Sequence, residues 1–215
     1  MLMGMQLVEF IEIDDVTRKE FHEAVAIYDD SLPAAERQEN SVIRERVATK
    51  KERMFIGRLN GEVVFMALIW PLQHTDFVLF DYMAVKETYR NQGIGTKFVQ
   101  NIFRISGIRD KRFILEVEDP RYGDNKEMRT RRVEFYRRNG AKIMKDVSYI
   151  LPPLYGNTPT QMIVMVLSPY PDIRFSGKLI SKIFVQIYRE LYGRDENDKL
   201  LHSSIRSIPS TVELV

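Results

Sequence analysis

Alternation of apolar and polar positions predicts strands in several separate stretches of the chain. Residues 53–59 and 62–70 read as two strands, and Asn60-Gly61 between them readily supplies the positive φ angles of a type I′ hairpin turn. Further strands are predicted at 5–13, 77–85, 113–118, 142–150 and 161–167. The pattern therefore predicts a sheet of about six to seven strands, with antiparallel neighbours wherever a short turn connects them.

Helical spacing occupies most of the remaining chain. Apolar positions at three- and four-residue intervals predict helices over 17–29, 35–49, 93–106 and 128–139. Pro169 to Asp172 then marks a boundary, so we predict a main domain at 1–168 and a helical extension at 169–215. The helix expected from Ile173 to Tyr192 has one broad apolar stripe, which needs either the main domain or a second copy of the protein to cover it. From Arg194 onward we expect loose order.

Composition narrows the class of protein. The 215 residues include no cysteine, which excludes disulfides, thiolate zinc sites and a thiol nucleophile. The first residues have no basic segment followed by an apolar export region, and no stretch approaches the ~20 apolar residues of a membrane span. We therefore expect a cytoplasmic protein without a membrane partner.

Charge is nearly balanced, at +2, but basic residues cluster in one region. Either they form a solvated helix face, or they attract cofactor phosphates or an acidic substrate. No nucleic-acid-binding motif accompanies them, so nucleic acid is not an expected partner. The cluster consists of Lys126, Arg129, Arg131, Arg132, Arg137, Arg138, Lys142 and Lys145.

The stretch from Arg90 to Thr96, Arg-Asn-Gln-Gly-Ile-Gly-Thr, joins a predicted strand directly to a predicted helix. Its two glycines allow a ligand to approach the backbone, and the first helical turn offers free N–H groups and a positive dipole end. Phe98 stands where a dinucleotide fingerprint needs a small residue, and no P-loop sequence is present. The junction is therefore a candidate pyrophosphate site.

Four motifs occur in order: a strand ending in Ala84-Val85, then R-x-x-G-x-G from Arg90, Leu115-Glu116-Val117, and F-Y-x-x-x-G from Phe135. In this order they resemble the GCN5-related N-acetyltransferase (GNAT) superfamily, over roughly residues 5–168. The resemblance implies an α+β fold with a mixed, mostly antiparallel central sheet flanked by helices and splayed at the cofactor site. It also implies acetyl-coenzyme A as the co-substrate.

By resemblance, backbone groups at the end of the earlier central strand bind the pantetheine arm, and backbone N–H groups of the glycine turn bind the pyrophosphate. Arg90 adds positive charge to the same site. No metal is expected, because the three histidines lack ligand spacing and Asp119, Gly123 and Asp124 do not fit a calcium loop. The cofactor residues are Met83, Ala84, Val85, Arg90, Gln92, Gly93, Ile94, Gly95 and Thr96.

Two residues are predicted to carry the chemistry. Glu116 holds the position of a general base in some family members, and a carboxylate on a buried strand is expected to have a raised pKa. Glu118 faces the same side of the strand, so either glutamate could serve, the other being an ion-pair partner for nearby arginines. Tyr136 is expected to act as general acid near the cofactor sulfur, or else to be an ordinary core residue.

The acceptor side is less determined by the sequence. Tyr28, Ser31, Glu36 and Tyr149 lie in regions that line the acceptor pocket in relatives, although turn residues would look the same, and Glu118 is a further acceptor-side candidate. Relatives often carry Asn and Ala where this chain has Arg129 and Arg132, and the loop 119–125 looks longer than usual. The sequence therefore predicts acetyl transfer to a primary amine, the alternative being a non-catalytic acyl-coenzyme-A sensor on the same fold.

Overall fold

A computed structural model describes residues 7–32 and 37–215, which form two compact units. The first unit comprises the chain up to residue 71 together with 80–102, and the second comprises 72–79 and 103–215. The beginnings of the first predicted strand and of the helix predicted at 35–49 fall outside the described residues. No helix in the described ranges is long and apolar enough to cross a membrane.

The first unit is a set of antiparallel strands covered by helices. Asn60 and Gly61 have φ angles of 53° and 82°, which confirms the predicted hairpin turn. Phe98 packs among Phe10, Phe55 and Phe65. The elements in chain order are β1 (Glu9–Ile13), α1 (Lys19–Ser31), α2 (Asn40–Ala48), β2 (Arg53–Leu59), β3 (Glu62–Pro71), the second part of β4 (Phe77–Val85) and α3 (Ile94–Asn101).

Strand β4 changes its side-chain alternation in the middle. Phe80 lies 6.1 Å from the Phe98 ring, whereas the Tyr82 ring lies 4.9 Å from Tyr28 of α1. Residues two apart on a regular strand share a face, so these opposite neighbours indicate an irregularity of the β-bulge kind. Tyr82 is thereby turned toward α1, and Ala84 packs in the same cluster.

The second unit includes the first residues of β4, Phe77 to Leu79. Phe77 to Leu79 pair in parallel with 112–114, and this pairing ends there although both strands continue. The other elements are β5 (Arg112–Glu118), α4 (Lys126–Arg138), β6 (Lys142–Ile143), β7 (Tyr149–Leu151), β8 (Thr160–Leu167), β9 (Arg174–Ser176), α5 (Gly177–Glu190), α6 (Lys199–Arg206) and β10 (Thr211–Glu213).

Among the described residues, eight strands form a mixed, mostly antiparallel sheet in the order β1-β2-β3-β4-β5-β8-β6, with β7 also on β8, and β9 and β10 form a separate two-stranded sheet. The predicted α+β fold is confirmed, but the sheet has eight strands instead of six to seven. The strand predicted at 142–150 is in fact two short strands, because Asp146 takes a positive φ of 59° between them. Both pair with β8 at different positions.

The expected loose order after Arg194 is wrong. Asp198 caps α6 by accepting hydrogen bonds from the N–H groups of Leu200 and Leu201, and β10 pairs with β9. The predicted apolar stripe lies on α5, preceded by β9, and its side chains are buried within the second unit. Short polar elements of this kind give little periodic signal, which is why the sequence pattern did not indicate them.

Candidate functional site

The turn before α3 has the backbone geometry expected of an anion site. Asn91 and Gly93 have φ angles of 62° and 75°, and Gly93 is the left-handed residue that begins the helix without a side-chain cap. The N–H groups of the first turn, from Ile94 onward, have no intrahelical acceptor and point along the positive end of the dipole. A Cβ at Gly93 would meet no protein atom within 4 Å. The space over the helix start is therefore open to a ligand, and the turn fits a pyrophosphate.

Arg90 is connected to two neighbouring segments of the first unit. Its Nε donates a hydrogen bond to the Val85 carbonyl at 3.2 Å, and Nη2 donates to Ser31 Oγ at 3.3 Å. The same guanidinium is about half-exposed beside Glu87. Arg90 therefore fixes the end of β4 relative to α1, in addition to contributing positive charge at the turn.

The two glutamates of β5 have different partners. Tyr192 lies just after the end of α5, and its hydroxyl donates a hydrogen bond to Glu116 Oε2. Glu118 is buried and lies between Arg129 and Arg132, at 2.9 Å and 2.5 Å. Glu118 thus has the ion-pair arrangement that the sequence offered as the alternative to a base.

Arg129 also holds the loop 119–125. Its guanidinium donates a hydrogen bond to the Tyr122 carbonyl and lies against Gly123. At the start of the loop the buried Asp119 carboxylate accepts hydrogen bonds from Arg121. The arginine that replaces the family's asparagine therefore connects this loop to β5, through Glu118.

Tyr136 lies on α4, one helical turn after Arg132. Burial raises the pKa of its hydroxyl to about 12, and the positive charge of Arg132 opposes that rise. The phenol therefore keeps its proton at neutral pH, as a proton donor must. Its ring packs edge-on against Phe135 at 5.2 Å.

Two predicted acceptor residues are fully buried, which corrects their assignment. Tyr28 is 0% exposed, packs on Tyr82 and accepts a hydrogen bond from the Gln38 N–H at 2.7 Å. Tyr149 is 0% exposed under α5, with its ring 4.6 Å from Phe184. Both are core residues here because helices cover them, which the sequence did not indicate. Ser31 remains partly accessible beside Arg90, and Glu36 lies outside the described residues.

A buried acid pair lies near Tyr82 in the first unit. Burial raises the pKa of Asp81 well above its usual range, and the neighbouring Glu52 carboxyl raises it further, whereas Arg46 opposes the rise. Burial also raises the pKa of Glu52, which is 1% exposed. Two buried carboxyls close together disfavour a second negative charge, so the pair favours protonation of at least one of them. Asp81 interrupts an apolar strand, and that was the sequence signal for the pair.

Most of the basic cluster is paired locally. Arg131 and Arg137 contact acids one turn away on α4, Lys142 donates to the Asp172 carbonyl, and Lys145 contacts Glu213. Together with the two arginines on Glu118, these contacts favour the helix-face interpretation of the basic cluster over attraction of cofactor phosphates or an acidic substrate. Over the described residues, no group of three or more His, Cys, Asp or Glu side chains is placed to hold a metal.

Residues 50–140 match the family model of the acetyltransferase (GNAT) domain. This stretch therefore resembles a GNAT acetyltransferase domain. The matched range includes the turn 90–96 as well as Glu116 and Tyr136. No curated protein sequence matches the chain.

Solved structures share the fold of the GNAT domain. A Bacteroides thetaiotaomicron structure assigned to this acetyltransferase family superposes with a TM-score of 0.73 at 21% identity, over 87% of this chain and 99% of that one. The Escherichia coli ribosomal-protein-S18-alanine N-acetyltransferase gives 0.54 at 17%, over 75% and 94%. An Elizabethkingia anophelis GNAT acetyltransferase with acetyl-CoA bound gives 0.52 at 14%, over 75% and 97%.

Residues outside the GNAT motifs also contact the predicted site. Tyr192 was missed because its partner Glu116 is 76 residues away in the chain. Its position four residues after Tyr188, at the end of the helix predicted over 173–192, was the one signal for it. The ion pairs of Arg129 and Arg132 with Glu118 were not predicted, although the sequence analysis marked both arginines as departures from the GNAT pattern.

Proposed function

We propose that this protein is an N-acetyltransferase that transfers the acetyl group of acetyl-CoA to a primary amine by direct attack. The observation that carries the proposal is the left-handed turn at Gly93, which opens the start of α3 within the matched GNAT domain. A pyrophosphate is the ligand class that such a turn holds best. Related structures contain acetyl-CoA or CoA, which supports the same ligand here.

The cofactor would be held mainly by the backbone. The N–H groups from Gln92 to Thr96 would bind the pyrophosphate, and the backbone of Met83, Ala84 and Val85 would bind the pantetheine arm. Arg90 supports the strand end that would bind the pantetheine arm, through its hydrogen bond to the Val85 carbonyl. Bound acetyl-CoA would supply the acetyl thioester.

Two side chains would move the protons. Glu116 accepts a proton from the ammonium form of the acceptor, so that the nitrogen lone pair is free to form the new C–N bond. Tyr136 donates its proton to the sulfur as the C–S bond breaks, and it regains through solvent the proton that the acylated nitrogen releases. No covalent enzyme intermediate is needed, and the acceptor nitrogen leaves as an amide.

The proposal is tested by CoA binding to two glycine variants. Gly93 and Gly61 both have positive φ, and a Cβ at either would meet nothing within 4 Å, so Gly93→Glu and Gly61→Glu impose similar backbone strain. Only Gly93→Glu places bulk and negative charge at the proposed phosphate site. CoA at 100 times its Kd should add about 2.7 kcal/mol to the free energy of unfolding of the wild type and of Gly61→Glu. Gly93→Glu should show no such gain.

Calorimetry and a thiol-release assay on an amine panel complete the test. Binding with release of CoA and an acetylated amine supports the proposal. Binding without turnover on any amine would support the acyl-CoA sensor instead. Absence of CoA binding to the wild-type protein would overturn both functions.

A further inference from the structure

The hydrogen bond between Tyr192 and Glu116 connects two distant parts of the second unit. Glu116 lies on β5 in the L-E-V motif, whereas Tyr192 follows the last residue of α5. The Glu116 residue is partly buried and its Oε1 atom is fully buried, so the hydrogen bond at Oε2 acts together with packing to set the direction of the side chain. A phenol that donates to one carboxylate oxygen restricts the rotamers of the glutamate.

Aromatic side chains hold Tyr192 in place. Its ring packs edge-on against Tyr188 at 5.9 Å, Tyr188 packs on Tyr149 at 5.9 Å, and Tyr149 packs on Phe184 at 4.6 Å. The Tyr188 hydroxyl donates to the Ile150 carbonyl of β7. The packing of these rings fixes the position of Tyr192, and therefore the position from which its hydroxyl donates to Glu116.

We propose that Tyr192 is the positioning residue of Glu116, so that the segment after α5 completes the active site. The proposal rests on the proposed function, in which Glu116 is the general base. Tyr192 acts through Glu116 and donates no proton to the reactants.

A hydrogen bond to the ionised form of a carboxyl favours that form, so Tyr192 keeps Glu116 ready to accept a proton at lower pH. The other ionisable groups nearby are Tyr188, with Arg194 and Asp198 near its hydroxyl, and Glu118 further along β5. Glu118 is neutralised by its two arginines, and burial raises the pKa of Tyr188 far above neutrality. Removal of the Tyr192 hydroxyl is therefore expected to change how readily Glu116 holds its charge, through the hydrogen bond at Oε2.

The test compares Tyr192→Phe with Tyr188→Phe in the full-length chain. Each variant keeps a ring of the same aromatic group and loses one hydroxyl, but only Tyr192 donates to Glu116. For Tyr192→Phe we expect turnover to fall roughly tenfold, with the KM for acetyl-CoA unchanged. The acidic limb of kcat/KM should move to higher pH by roughly one unit, the size expected for a lost hydrogen bond to a charged group. Tyr188→Phe should lower the melting temperature and leave the acidic limb in place.

The outcomes separate the two proposals. If the wild type acetylates amines and Tyr192→Phe has the wild-type pH profile and turnover, the positioning role is overturned and the proposed function stands. An equal displacement of the limb in Tyr188→Phe would also overturn it, because the effect would then follow packing. If Glu116→Gln keeps wild-type turnover, there is no base to position. A wild type without any CoA binding would instead contradict the proposed function itself.

Discussion

Glu116 and Glu118 lie two residues apart on β5, but their surroundings give them different chemistry. Two guanidiniums hold Glu118 as an ion pair, and its burial leaves it no access to an acceptor. Glu116 is partly buried, and its Oε2 accepts a hydrogen bond from the neutral Tyr192 hydroxyl. Of the two glutamates that the sequence left open as the base, Glu116 is therefore the one that we propose.

Removing either proposed proton-transfer group should therefore lower turnover much more than cofactor affinity. Tyr136→Phe and Glu116→Gln should each reduce kcat by ~100-fold to 10,000-fold, the usual contribution of a general acid or base. The loss in Glu116→Gln should be partly relieved at high pH, where more free amine is present. The measurement is steady-state kinetics, with Glu127→Gln on the exposed side of α4 as the control. Effects below about tenfold in both variants would assign catalysis to proximity and backbone polarisation.

The acid pair predicts a pH dependence of stability. Because the pKa values of Glu52 and Asp81 are raised in the folded state, the folded protein binds protons that the unfolded chain releases. This contribution to stability is therefore fully present below the ordinary carboxyl pKa and is lost as pH rises from there through the raised pKa. A pKa raised by one unit costs about 1.4 kcal/mol at higher pH.

Asp81→Asn should flatten this dependence. Its amide does not ionise, so the raised pKa of Asp81 no longer costs stability at higher pH, and the free energy of unfolding at pH 8 should exceed that of the wild type. Urea denaturation between pH 5 and pH 8 measures the effect, with the exposed Asp110→Asn as the control. Parallel stability curves for the wild type and Asp81→Asn would show that the pair does not titrate in this range.

At the scale of elements, α4 presents one face to β5. Arg129, Arg132 and Tyr136 are spaced by three and four residues, so they share a helical face. The two arginines form ion pairs with Glu118, and Tyr136 is the proposed general acid. The substitutions that depart from the GNAT pattern therefore fix the helix that carries Tyr136. The sequence predicted this helix and marked Arg129 and Arg132 as departures from the GNAT pattern. Their pairing with Glu118 could not be predicted, because it depends on which residue of β5 lies opposite them.

Helix α5 is a structural element of the second unit, and one substitution tests its packing. Phe184 is 0% exposed, so Phe184→Ala should cost about 3–5 kcal/mol of stability, because a cavity replaces the ring against Tyr149. Leu179 on the same helix is 36% exposed, and Leu179→Ala should cost less than about 1 kcal/mol. Urea denaturation compares the two. Equal losses would mean that the stripe is not packed as described.

At the scale of the whole molecule, local features were predictable and distant contacts were not. The Asn60-Gly61 turn and the glycine turn before α3 follow from residues whose backbone preferences are strong. The acid pair joins residues 29 positions apart, and the contact of Tyr192 with Glu116 spans 76. Such contacts depend on which faces of the elements meet, and periodicity alone does not specify this. Tyr28 and Tyr149 were misassigned for the same reason.

The division of β4 between the two units has a consequence for synthesis on the ribosome. All residues of the first unit have been made when residue 102 is added, so that unit can fold while the rest of the chain is still being translated. Phe77 to Leu79 are made early but find their parallel partners only when 112–114 emerge. During that interval the N-terminal half of β4 is an unpaired strand edge, and a pause in translation between these points would extend the time for which a nascent chain exposes it.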